Sequence, residues 1–243
     1  MIVLFTDFGP AGPYVGQMRA VLARDAPDVP VIELMSDAPL CNPRAAAYFL
    51  AVLAGEFQAG SIFLAVVDPG VGGDRAAIAL EADGRWFVVP DNGLLALVAR
   101  RVADARCWRI DWRPKVLSGS FHGRDLFAPI VARLAHGENP PGESLYGSEI
   151  AGGAWPDDLA EIIYLDHFDN AMTGMRAATL AADVRLAVGR RELVRARTFS
   201  NVPQGAAFWY ENANGLAEVA VNGGRADHEL GLSIGSDVRI LAT

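Results

Sequence analysis

Ile62-Phe63-Leu64-Ala65-Val66-Val67-Asp68-Pro69-Gly70-Val71-Gly72 decides the fold. An unbroken apolar run rich in β-branched and aromatic residues reads as a strand covered on both faces, which calls for helices above and below a parallel sheet. The run ends on an acid. Pro69 holds the backbone of Asp68 extended, and the glycines that follow allow a ligand or a second segment to approach closely. In open α/β sheets ligands sit beyond the carboxyl ends of the strands, where Asp68 falls. Arg75, seven residues on, can fold back and pair with it.

The layout recurs on either side. Ile2 to Phe5 is a short apolar strand ending in Thr6-Asp7-Phe8-Gly9. Tyr14 to Ala26 has helical apolar spacing and stops at Pro27. Val31 to Leu34 reads as a strand and Arg44 to Ala54 as an Ala-rich helix. Ala76 to Glu81 and Trp86 to Val89 read as strands joined at Asp83-Gly84. Asp91-Asn92-Gly93 follows, then a helix from Leu94 to about Val102 and a strand from Cys107 to Ile110. Ser118-Gly-Ser-Phe-His-Gly-Arg-Asp-Leu-Phe-Ala-Pro129 has more chemical variety than a plain turn needs. It reads as a loop to Gly123 and an apolar helix from Asp125 through Leu134. His122 and the Gly123 amide then stand at a loop-to-helix junction, where unpaired N–H groups can hold an anion or a polarised water. The competing reading makes His122 a packed bystander of a self-capped helix.

With parallel strands, the loops carrying Asp7, Asp68, Asp91 and Asp125 and the loop carrying His122 converge on one sheet edge. Helix capping is an equal reading for Asp91 and Asp125. Past Ala135 the texture changes: 138–159 is rich in Pro and Gly without periodicity and is expected to be a linker. Beyond it come short strands, at Ile162 to Leu165, Val184 to Val188, Ala206 to Tyr210, Leu216 to Val221 and Val238 to Leu241. The expected architecture is an α/β domain over 1–137 with a mainly parallel sheet, then a small β-barrel-like domain over 160–243.

Composition narrows the class. The 243 residues are 51% hydrophobic and 21% charged, so a core is expected and disorder is not. A net charge of −8 argues against nucleic acid or an anionic membrane as partner. Cys41 and Cys107 form no Cys-x-x-Cys pair, so no zinc knuckle or disulfide framework is expected. Met1-Ile-Val-Leu-Phe-Thr-Asp7 lacks a basic leader and reads as a first strand rather than a signal peptide, and no apolar run spans a bilayer. A cytoplasmic protein is expected.

Together and in this order, the motifs resemble a known family. They are Thr6-Asp7-Phe8-Gly9, Tyr14-Val15-Gly16, Val66-Val67-Asp68-Pro69-Gly70-Val71-Gly72, Pro90-Asp91-Asn92-Gly93 and Phe121-His122-Gly123-Arg124-Asp125. Leu165-Asp166-His167-Phe168-Asp169-Asn170 and Asn212-Ala213-Asn214-Gly215 complete the set. The chain resembles the S-adenosylmethionine hydroxide adenosyltransferases, the adenosine-forming S-adenosylmethionine hydrolases related to the fluorinase and chlorinase enzymes. That resemblance implies hydrolysis of S-adenosylmethionine to adenosine and methionine by an activated water attacking C5′, with no cofactor and no metal. It implies a catalytic triad of Asp68, Arg75 and His122. Phe121 would wall the site and the Gly123 amide would hold the attacking oxygen. Asp7 would grip the ribose hydroxyls, Asp166 the methionine ammonium and Asn170 the adenosine side, with Asn212 and Ala213 at the methionine carboxylate. The family also implies a homo-trimer in which the C-terminal domain completes a neighbour's pocket.

Some positions depart from the family pattern. Asp169 stands where Gly is usual, Ala213 where a carboxylate-binding Ser is usual, Cys41 where an aromatic is expected near the ribose, and Ser36 where His is usual. Three alternatives remain at this point. Halide transfer is disfavoured because halide-using relatives lack the acid and the imidazole at the positions of Asp68 and His122. A divalent-metal hydrolase built on Asp7, Asp68, Asp91 and His122 is disfavoured by Arg75 and Arg124 beside them. A non-catalytic adenosine-binding module is the third.

Overall fold

The computed structural model describes residues 1–145 and 150–241. They form two units, Met1–Trp155 and Pro156–Thr243. The first runs β1 (Ile2–Thr6), α1 (Tyr14–Asp25), β2 (Val31–Met35), α2 (Pro43–Leu53), β3 (Ile62–Val66), β4 (Ala77–Ala82), β5 (Arg85–Pro90), α3 (Ala96–Arg100), β6 (Arg106–Ile110), α4 (Ala128–Ala135) and β7 (Gly142–Leu145). The seven strands make one sheet in the order β2-β1-β3-β5-β4-β6-β7. β2, β1, β3 and β5 pair parallel, while β4 is antiparallel to β5 and β6, and β7 antiparallel to β6. Five strands therefore point one way and β4 and β7 the other, the mostly parallel sheet that the apolar runs called for.

Strand alternation explains the cores. Ile2, Leu4, Ile62, Leu64 and Val66 point to one face and pack with Met18, Leu22, Ile130 and Val131 of α1 and α4. Val3, Phe5, Phe63, Ala65 and Val67 point to the other and pack with Ala46 and Leu50 of α2. With both faces covered, every residue of β1 and β3 is buried. Asp83 and Gly84 both take positive φ, 51° and 71°, and join β4 to β5 as a two-residue turn that closes on the pair Ala82↔Arg85.

The stretch 138–159, expected to be a linker, contains β7 and belongs to the first unit as far as Trp155. Residues 146–149 of it lie outside the described residues. The hydrogen bonds explain the attachment: Arg100 donates to the Gly153 and Trp155 carbonyls at 2.8 and 2.7 Å, and the Ala151 N–H donates to Asp91 at 3.0 Å. β7 is a short, half-polar edge strand, too weak a pattern to read from sequence.

The second unit holds β8 (Leu159–Leu165), β9 (Ala171–Arg176), β10 (Arg185–Val188), β11 (Arg191–Leu193), β12 (Ala207–Glu211), β13 (Leu216–Val221), α5 (Ala226–Leu230) and β14 (Val238–Leu241). They form two antiparallel sheets, β12-β13-β9-β8 and β11-β10-β14, around Trp209, Ile162, Leu186 and Val219. The expectation of a barrel is met only in this coarser form. Single isolated bridges, Glu161↔Asp237 and Arg195↔Trp209, span the two margins between the sheets.

Candidate active site

The parallel pairing Thr6↔Val66 sets the ends of β1 and β3 level, so that Asp7 and Asp68 emerge side by side on the carboxyl edge. Asp7 accepts from the Cys41 N–H at 2.9 Å. Burial, reinforced by the charge of Asp68, raises its carboxyl above the usual aspartate range. The Asp68 side chain is only 4% exposed and is gripped by Arg75. Nε of Arg75 donates to both carboxylate oxygens at 3.1 and 3.0 Å, and Nη2 donates to Oδ2 as well.

Arg75 has a second partner. Its Nη2 lies 2.9 Å from Nδ1 of His122, and the Phe127 ring lies under the guanidinium at 5.2 Å. A guanidinium can only donate, so Nδ1 is the bare, accepting nitrogen and the ring proton sits on Nε2. Burial, then the charge of Arg75, pushes the His122 pKa below its ordinary value, which keeps this tautomer neutral.

Two local devices hold His122 in place. Gly123–Phe127 is a π-helical turn in which the Ala128 N–H reaches back to the Gly123 carbonyl. Pro129 has no N–H to offer the preceding turn, so the widened turn loses little, and α4 follows from Ala128. Asp125, inside that turn, is not a cap. Its carboxylate accepts from the Ser118 N–H at 2.9 Å and from Arg124, stapling the two ends of the loop. Asp91, the other capping candidate, accepts from Ala151 instead. Gly72, at φ +81°, lies so close to Gly119 that a Cβ would collide with its carbonyl oxygen. A Cβ on Gly123 would sit 2.9 Å from Met18 Sδ. The Asp68 loop and the His122 loop thus touch backbone to backbone.

Asp7, Asp68, Phe121, His122 and Gly123 line one cavity of about 460 Å³, with Arg75 behind its wall. Phe8, Tyr14, Gln17 and Arg124 also line it, and sequence pattern alone gives none of them a place in the site. Phe8, Tyr14 and Phe121 meet edge to face with centroids 5.3–6.0 Å apart. Arg124 lies over Phe121 at 5.1 Å and donates to Gln17 at 2.8 Å. The available signal was the i, i+3 spacing of Tyr14 and Gln17 directly after Thr6-Asp7-Phe8-Gly9. Among the described residues, no three His, Cys, Asp or Glu side chains gather to hold a metal ion. No helix there is long and apolar enough to cross a membrane.

In the second unit, Asp166, Asn170, Asn212 and Ala213 line a cavity of about 580 Å³. Asp166 accepts from the Phe168 and Asn170 N–H groups at 2.9 and 2.8 Å and from Asn170 Nδ2 at 3.2 Å. The intervening Asp169 takes φ +62°, a conformation that suits the glycine usual at this position, and Asp is among the residues that tolerate it. Its carboxylate pairs with Arg225 at 3.0 Å. The Asn212 side chain is engaged within the protein: Oδ1 accepts from the Asn214 and Leu216 N–H groups, each at 3.0 Å, and Nδ2 donates to Glu218 at 2.7 Å. Glu218 and Tyr210 line this cavity too and had no assigned role. A lone acid inside the apolar run Leu216–Val221 was the missed signal.

Comparison with known proteins bears on both units. Residues 2–143 match the model of the SAM hydroxide adenosyltransferase N-terminal domain, and residues 160–239 that of its C-terminal domain. The chain is 40% identical to the (R)-S-adenosyl-L-methionine hydrolase of Thermus thermophilus, covering 99% of each chain. It is 38% identical to the protein of the same name from Salinispora arenicola, over 98% of this chain and 96% of the other. Among solved structures, an uncharacterized conserved protein from Thermotoga maritima superposes with a TM-score of 0.89 at 31% identity, covering 99% of this chain and 100% of the other. A conserved hypothetical protein from Thermus thermophilus gives 0.80 at 36% identity, with 99% of each chain covered.

Proposed function

The chain belongs to the SAM hydroxide adenosyltransferase family and hydrolyses S-adenosyl-L-methionine, and from that premise we propose that Asp68, Arg75 and His122 hold and activate the attacking water. The observation that carries this reading is the Arg75 bridge, with Asp68 on one side and His122 Nδ1 at 2.9 Å on the other. The sulfonium is a good leaving group and needs no acid. The task is to place water in line with the C5′–S bond and remove its proton. With Nδ1 held by Arg75, His122 acts as a donor through Nε2–H. Gly123, the first residue of its turn, offers an N–H with no intrahelical acceptor. A hydroxide has three lone pairs: two face these donors and the third attacks C5′. The O–C5′ bond forms as the C5′–S bond breaks. The bonding pair leaves with sulfur, giving neutral methionine and adenosine. The water proton goes to the remaining acceptor on that wall, the Asp68 carboxylate, whose Oδ1 carries a single Arg75 bond.

Asp7 accepts the ribose hydroxyls, and Phe121 with Phe8 and Tyr14 shields the reacting atoms. The amino-acid end lies in the cavity at Asp166, Asn212 and Ala213, with Asn170 toward the adenosine side, on a C-terminal unit read as barrel-like because both margins between its sheets are bridged. The names of the relatives support the (R) sulfonium epimer as substrate. A homo-trimer is inferred, supported by the division of substrate contacts between two units and by the family likeness. A cytoplasmic location is inferred too, supported by two free cysteines. Incubation with separated sulfonium epimers, followed by chromatography for adenosine and methionine, tests the reaction. A His122→Ala protein that folds and hydrolyses at the parent rate refutes the triad. Light scattering tests the trimer.

A further inference from the structure

Glu218 sits in the middle of β13, among Leu, Ala and Val, with 2% of its surface exposed. A carboxyl in such a place needs its hydrogen bonds made. The Tyr210 hydroxyl donates to Oε1 and Asn212 Nδ2 donates to Oε2 at 2.7 Å. Tyrosine has one O–H, and here it is given to Glu218, so the Tyr210 oxygen is left only able to accept. Asp166, whose carboxylate faces the same cavity, also only accepts. No cationic side chain is among the described residues lining that cavity. The amides of Asn170, Asn212 and Asn214 line the cavity as well, but the Asp166 carboxylate and the Tyr210 oxygen are acceptors, and that pair fits a ligand group that donates several hydrogen bonds and is positively charged, which is an ammonium.

We propose that Glu218 is a positioning residue: by claiming the Tyr210 proton it fixes that hydroxyl as an acceptor and makes the cavity selective for the ammonium of the substrate's amino-acid end. This rests on the reading that the amino-acid end of S-adenosylmethionine occupies this cavity. Glu218 need not touch the ligand, since it works through Tyr210 and through the 212–216 turn that Asn212 ties together. The arrangement depends on charge. Burial, and secondarily the nearby Asp166, holds the Glu218 carboxyl above the usual range, and burial with Glu218 holds the Tyr210 phenol well up. Tyr210 from β12 and Asp166 from the turn after β8 are the titratable groups that face it. Once protonated, Glu218 can donate to Tyr210, and the acceptor character is lost.

The test compares wild type, Glu218→Gln and Tyr210→Phe on S-adenosylmethionine and on its analogue lacking the amino group. Each substitution should raise KM for S-adenosylmethionine about ten- to a hundredfold, the weight of a hydrogen bond to a charged group. Turnover should change by less than about threefold, because no bond made only in the transition state is removed. On the deamino analogue the KM ratio should fall to about one. Wild-type KM for S-adenosylmethionine should climb on the acid side, and Glu218→Gln should abolish that limb. Equal KM penalties on both substrates, or a loss in kcat alone, overturn the proposal. If Glu218→Gln misfolds by thermal melting, Tyr210→Phe carries the comparison. If the wild type turns over neither compound, the triad reading fails, and calorimetric Kd values for the same pair decide the present one.

Discussion

Arg75 Nη2 donates to Nδ1 of His122 at 2.9 Å while the same guanidinium clamps Asp68, so one cation sets the tautomer of the histidine and the orientation of the acid. Arg75 and Asp68 side chains are 12% and 4% exposed, and little water competes for these bonds.

The pH–rate profile should report that neutral histidine. The His122 pKa is depressed, first by burial and then by Arg75, so turnover should fall only below the ordinary histidine range on the acid side. Arg75→Ala removes the second cause but not the first. Its residual activity should lose turnover at a higher pH than the parent, yet below the value of a free imidazole. Stability should follow the same sign. Between the depressed folded value and the ordinary unfolded one, the unfolded chain binds more protons, so the His122 contribution shrinks as pH falls through that window. An acid limb unmoved by Arg75→Ala would contradict this assignment.

Single substitutions in the triad should act on turnover. Asp68→Asn and His122→Ala should each lower kcat by about 10²–10⁴-fold with adenosine affinity within about tenfold. If both groups act on one water as proposed, the double variant should cost little more than the worse single, since such effects are non-additive. Arg75→Ala should also lose about 3 kcal/mol of stability, because it leaves Asp68 buried and unpaired. Single-turnover kinetics and melting curves separate the two effects.

Gly72→Ala should be damaging and Gly119→Ala mild. A Cβ at Gly72 requires an unfavourable φ of +81° and meets the Gly119 carbonyl, whereas a Cβ at Gly119 has nothing within 4 Å. A loss of about 1–3 kcal/mol and a matching fall in Tm are expected for the first only. Calorimetry of the pair checks it.

Ala213→Ser should lower KM with little change in turnover. Ala213 lines the cavity assigned to the amino-acid end and has no hydroxyl for a carboxylate. A hydrogen bond to a charged group is worth roughly 1.5–3 kcal/mol. An unchanged or raised KM in steady-state assays would remove Ala213 from the carboxylate site.

Asp169→Gly should be neutral to slightly stabilising, by up to about 1 kcal/mol, because glycine takes the left-handed conformation at lower cost. The Arg225 pair it gives up is exposed on the arginine side and contributes little. Denaturant titration measures the difference.

The sheet and its site edge were legible because both rest on local pattern. The apolar runs of β1 and β3 end on Asp7 and Asp68, and Asp83-Gly84 marks a hairpin without tertiary information. The π-helical turn at Gly123–Phe127 was not legible, since Pro129 predicts only that a hydrogen bond is missing and not how the backbone absorbs it. The sequence suggested the Asp68–Arg75 pair from its short spacing, but the contact to His122 spans 47 positions and depends on two loops meeting. Glu218 was hidden for the opposite reason. A run of Leu, Ala and Val announces a core strand, and the acid within it makes sense only once Tyr210 and Asn212 are seen beside it.

The backbone crowding between Gly72 and Gly119 has a consequence for engineering and for descent. The Asp68 loop has no room to gain a side chain at Gly72 unless the Gly119 carbonyl gives way, whereas a side chain added at Gly119 itself meets nothing. The segment from Asp68 to Arg75 and the segment from Ser118 to Asp125 therefore behave as a single heritable cassette. Chimeras that exchange one of them between relatives would inherit a mismatched joint, while those that exchange both together would carry the cradle proposed for the nucleophile intact onto a new scaffold.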